Sequence, residues 1–87
     1  MYKILIANSK VEKRLLEYIE SRNDIKNKLD RLRLNPRREL DAHPLHGKLF
    51  GKWSCWLGSN IRIIYVINDI EQSITIEAVG THKEYNY

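Results

Sequence analysis

Cysteine is almost missing: Cys55 stands alone, so no intrachain disulfide can form and the fold owes nothing to oxidation. That fits a reducing, cytosolic compartment. No apolar run approaches the roughly 20 residues that a membrane span needs. The apolar start, Tyr2 to Ala7, is too short for a signal peptide. A cytoplasmic protein without an anchor or membrane partner is expected. The chain also lacks internal repeats, low-complexity segments, a Gly-rich phosphate loop, a Ser-His-Asp set and an arrangement of paired carboxylates. No cofactor and no metal are implied.

What is there makes one domain, residues 1–87, with 43% hydrophobic and 30% charged residues. A chain of this size builds a small but sufficient core. The formal charge of +4 is unevenly placed. Residues 1–42 hold eleven Lys/Arg against seven Asp/Glu, and residues 43–87 hold four of each. A basic first half favours a polyanion or an acidic protein as partner. The plain alternative is a solvated helical face with extra lysines.

Tyr2 to Ala7 reads as a short strand. Ser9-Lys-Val-Glu12 has the form of a capping box, and Val11, Leu15, Tyr18 and Ile19 place one apolar stripe on a helix to about Glu20. A polar break follows, with Asn23 or Asp24 as cap. A second helix carries Ile25, Leu29 and Leu32, and Pro36 ends it. The short gap predicts an antiparallel helical hairpin. Residues 36–48 read as a long connection, of the kind that often carries function. Leu49 to Leu57 reads as a strand with Gly51 as a possible bulge. Ile61 to Asn68, apolar on both faces, reads as a central strand. Ser73 to Val79 alternates, with Ile74, Ile76 and Ala78 on one face. The order β-α-α-β-β-β predicts an α+β fold, a helical hairpin packed on an antiparallel sheet. By alternation Arg62 points away from Ile61, Ile63 and Tyr65, onto the open face. Trp53 shares a face with Cys55 and Leu57, which leaves Trp56 as the exposed tryptophan.

The stretch 43–68 concentrates the chemistry: His43 and His46, both tryptophans, Cys55 and three of the four glycines. The tail adds His82. A zinc set of His43, His46, Cys55 and His82 lacks the pairs of close ligands that such sites use, and Cys55 is expected in the core.

The motifs His43-Pro-Leu-His-Gly47, Gly51, Ile63-Ile-Tyr65 and Gly80-Thr-His82, in this order, resemble the RelE/ParE toxin superfamily, and within it the YafQ-like and RelE-like mRNA interferases of toxin–antitoxin systems. The resemblance covers nearly the whole chain. It implies a ribosome-dependent endoribonuclease that enters the ribosomal A site and cuts mRNA without metal. It implies as partners a cognate antitoxin, the ribosome with its A-site mRNA, and ribosomal RNA. His43 matches the loop histidine of the YafQ-like pattern and His82 its C-terminal histidine. Arg62 matches the arginine of the RelE-like branch. The chain departs from the pattern at Ser54, Trp56 and Asn60, where the family places basic residues, a further histidine and an aspartate.

Metal-free RNA cleavage needs a base, an acid and a cation for the phosphorane. His43 and His82 fit as base and acid in either assignment, Arg62 as phosphate holder, and Tyr85 or Tyr87 as the positioning aromatic. Lys52, Trp56, Arg31, Arg33, Arg37 and Arg38 are the candidate RNA contacts. A salt bridge to Glu77 is the plainer role for Arg62. Two other functions fit the same fold: a gyrase-poisoning toxin, and a catalytically weak module that binds RNA or an antitoxin.

Overall fold

The computed structural model describes residues 1–58 and 60–81. Its elements follow the expected order: β1 (Lys3–Ile6), α1 (Ser9–Ser21), α2 (Asp24–Leu34), β2 (His43–Pro44), β3 (Trp53–Trp56), β4 (Ile61–Asn68) and β5 (Ser73–Thr81), with 3-10 turns at Glu39–Asp41 and Gly47–Leu49. The strands form one sheet in the order β1-β5-β4-β3-β2. All its pairings are antiparallel except β1 with β5, which run parallel. The helices α1 and α2 lie between β1 and the rest in sequence and cover one face.

The α1 helix begins one residue earlier than the capping-box pattern implies. Asn8 is extended at φ −159°, and its side-chain oxygen accepts from the Val11 amide at 3.0 Å. Asn8 therefore satisfies an amide that would otherwise be an orphan of the first turn, a contribution of about 1 kcal/mol. Leu15 is buried, and Val11, Tyr18 and Ile19 pack at the edge of the core. In α2, Asp24 sits in the first turn, bonded by Lys28 and Arg22, each at 3.0 Å. Lys28 first, then Arg22, holds its carboxyl below the usual range. Ile25, Leu29 and Leu32 are buried, as their spacing predicts.

The core lies between these helices and one face of the sheet. Cys55, Leu57, Ile61, Ile63, Tyr65, Ile74, Ile76 and Val79 fill it from the strands. The middle strand, β4, has neighbours on both sides, which explains the unbroken apolar run from Ile63 to Ile67.

Three strand details differ from the sequence reading. The strand expected from Leu49 starts only at Trp53, because Gly47 (φ +67°) and Gly51 (φ +95°) fold residues 46–52 into a tight turn. The bulge lies elsewhere: Ile64 pairs with Ala78 but Tyr65 with Ile76, which leaves Glu77 as the extra residue. That slip puts Val79, not Ala78, into the core. The connection contains β2, an edge strand masked in the sequence by Pro44, which lacks the amide a ladder needs.

Candidate functional site

Cross-strand register places several candidate residues on the face opposite the helices. His43, Ser54, Ile64 and Ala78 form one row across four strands. Trp56, Arg62 and Gly80 form the next. Directly paired residues share a face, so His43, Trp56 and Arg62 occupy the same side. Alternation places Arg62 on the face opposite the helices, and it lies there, but buried rather than open to solvent.

Its environment differs from a simple exposed arginine. Arg62 is only 9% exposed, and its guanidinium lies over the Trp56 ring, 4.7 Å from the centroid. Such stacking is worth about 0.5–2 kcal/mol and fixes the plane of the guanidinium. Gly80, opposite Arg62, adds no side chain that would fill the space there. Glu77, weighed as its partner, instead pairs with Lys52.

His43 is exposed on β2, and its Nδ1 lies 3.0 Å from the Asp41 carbonyl oxygen. A carbonyl only accepts, so Nδ1 carries the proton and donates. In the neutral ring Nε2 then holds the lone pair and can take a proton. The carbonyl is aimed by an unusual turn: Leu40 and Asp41 both have positive φ, 59° and 57°. Consecutive non-glycine residues in this region cost on the order of 1 kcal/mol each. The turn is held by the Ala42 amide donating to the Glu39 carbonyl at 3.1 Å. It is held further by Arg31, whose Nε lies 3.0 Å from the Glu39 carboxylate.

The remaining basic candidates separate into two groups. Arg33 donates from Nε to the Tyr2 carbonyl at 2.8 Å. Arg37 forks onto Asp69 at 3.0 and 2.8 Å, with Tyr2 donating to the same carboxylate. Arg37, then Tyr2, pulls the Asp69 carboxyl down to about 2. Tyr65 donates to the Pro36 carbonyl at 2.6 Å, so the 36–42 connection is tied to the sheet at two points. Arg33 and Arg37 therefore brace the scaffold. Arg31, paired with Glu39, and Arg38 line an open groove of about 410 Å³ with Lys28, Glu39 and Asp41, and it runs to Trp56 and Gly58. Lys28 is a groove residue the sequence did not single out. Its signal was the i, i+3 spacing with Arg31 on one helical face.

His82 and Tyr85 lie outside the described residues, as does Tyr87. The described part of β5 ends at Thr81, paired with Ile61, beside the Arg62 end of β4. Cys55 sits in the core on the opposite face from His43, and burial pushes its thiol up to about 12. It cannot join His43 in a shared site. No group of three or more His, Cys, Asp or Glu residues suited to a metal occurs among the described residues.

No family model matches this sequence, and no curated protein does. Solved structures do. A YoeB/ParE toxin from Agrobacterium tumefaciens superposes with a TM-score of 0.73 at 18% identity, covering 92% of this chain and 98% of that one. The heterotetrameric YoeB-YefM toxin-antitoxin complex from Staphylococcus aureus gives 0.72 at 16%, covering 100% and 99%. YafQ from E. coli gives 0.67 at 22%, covering 97% of each.

Proposed function

From a chain that has the fold of the RelE/ParE toxin superfamily, we propose the toxin of a toxin–antitoxin pair that cuts mRNA on the ribosome. The observation that carries this reading is the placement of His43, Trp56 and Arg62 on the sheet face opposite the helices, beside a groove lined by Lys28, Arg31 and Arg38 together with Glu39 and Asp41.

The chemistry follows from these groups. His43 Nε2 takes the proton of the ribose 2′-hydroxyl, and the 2′-oxygen attacks the adjacent phosphorus. Arg62 stabilises the charge on the phosphorane, its plane held by Trp56. The bond from phosphorus to the 5′-oxygen breaks, leaving a 2′,3′-cyclic phosphate and a 5′-hydroxyl. His82 supplies the proton to that oxygen, and Tyr85 positions the strand. No metal enters the scheme. Arg31, Arg38 and Lys28 hold ribosomal RNA by charge. The partner is a cognate antitoxin that silences the toxin; the YoeB-YefM neighbour is itself a toxin-antitoxin complex.

Primer extension on a translated mRNA, with and without ribosomes, tests this. Cuts are expected only with ribosomes, and should fall about 10²–10⁴-fold in His43→Ala or His82→Ala. A folded wild-type protein that makes no cuts overturns the ribonuclease reading. Growth arrest with intact mRNA would then point to gyrase poisoning. The second reading, a module that binds without cutting, is favoured by Ser54 and Trp56, which fill the strand positions where the resemblance expects basic residues and a histidine.

A further inference from the structure

Between β2 and β3 the backbone is pinned by its own hydrogen bonds. The Leu45 amide donates to the Lys52 carbonyl at 2.9 Å, Phe50 to Gly47 at 3.1 Å and Lys52 to Leu49 at 3.0 Å. Leu45 is buried and Leu49 half-buried, anchoring the turn from below. Phe50 is the exception. It stands at the tip with 82% of its surface in water. A loop this well tied has no need of an exposed phenyl ring for its own stability.

The surroundings say what suits that ring. Residues 42–68 contain no Asp or Glu, and the turn itself holds His46, Lys48 and Lys52. Lys52 is partly neutralised by Glu77, which leaves Lys48, exposed and two residues before the ring in sequence, as the turn's other lysine. An aromatic face beside a cation matches a base and its phosphate. The turn is also a direct extension of β2, whose His43 pairs with Ser54 two residues before Leu45 bonds to Lys52. A strand held at His43 can therefore continue onto it.

We propose that Phe50 is an RNA-stacking residue: it stacks on an unpaired base of the single strand bound at His43, with Lys48 holding the neighbouring phosphate. The source of that strand rests on the ribonuclease reading, but the stacking contact does not require cleavage.

The test uses the full-length protein and a short fluorescein-labelled, unstructured RNA, read by anisotropy. Phe50→Leu keeps the bulk and removes the π-face, and it should weaken binding about tenfold. Phe50→Trp should restore it. Equal RNA affinity of wild type and Phe50→Leu overturns the proposal. So does a variant that binds RNA normally but loses affinity for the antitoxin, since the ring would then belong to a protein interface. The ribosomal cleavage assay on the same proteins separates the two readings. Wild type that cuts, beside a Phe50→Leu protein that binds and cuts equally well, removes the stacking contact and keeps the ribonuclease. Wild type that never cuts, with binding still lost in Phe50→Leu, keeps the contact and removes the ribonuclease.

Discussion

The two faces of the sheet bury their residues by different means. On the helix side, Ile63, Tyr65, Ile74 and Ile76 are wholly buried because α1 and α2 lay a second layer over them. On the other side Ser54, Arg62 and Ile64 are nearly as buried, at 0%, 9% and 7%. They reach that state in part through neighbours within the sheet, such as Trp56 over Arg62. The first arrangement is held by apolar area. The second packs a guanidinium against an indole ring within the sheet. The lesson is that low exposure has two meanings here, and only side-chain type tells them apart.

Truncating each face separates those meanings. Ile63→Ala should cost about 2–5 kcal/mol in urea unfolding, since the cavity left under the helices cannot collapse fully. Leu5→Ala, on the outer face near the edge and 42% exposed, should stay within about 0.5 kcal/mol. Equal losses would mean that something covers the open face as well. Arg62→Lys keeps the charge and loses the stacked plane; RNA cleavage should fall about tenfold or more while the fold persists by circular dichroism. Unchanged cleavage would make the Trp56 stack structural only.

A smaller effect concerns the clamp that ties the 36–42 connection to the sheet. Asp69 titrates near 2 in the folded protein against about 3.9 unfolded. Its lowered value contributes stability that is present above about pH 4 and lost as pH falls toward 2. Asp69→Asn should lower the melting temperature modestly at pH 7, since the pair is exposed and screened, and the difference from wild type should vanish as pH falls toward about 2, which flattens the acid slope. An unaltered acid slope would assign the acid sensitivity to other carboxylates.

Much of this was legible locally. The apolar stripe of α1, the buried triplet of α2 and the two-sided run of β4 are periodic patterns, and they landed where their spacing places them. Arg62 was legible for the same reason, since parity along one strand needs no knowledge of its neighbours. Parity failed across β5, because a single bulge at Glu77 shifts every later residue and sends Val79 inward. Leu49 and Phe50 look like strand residues, but the φ of Gly47 and Gly51 keeps them out of β3. The arginines were the least legible. Arg37 and Arg38 are adjacent and alike in sequence, yet one grips Asp69, 32 residues away, and the other lines the groove.

Element order, the two helical stripes, the middle strand and the available chemistry of imidazole, guanidinium and indole all follow from local pattern. The pairing of β1 with β5, the two-residue strand that carries His43 to the row next to Arg62, and the Asp41 carbonyl that sets the histidine's tautomer emerge only in the folded chain. The physical reason is range. Periodicity and capping act over a few residues and leave their mark in the local pattern. Strand pairing, ion-pair choice and the aim of a carbonyl depend on residues far apart in the chain, which meet only when the core closes.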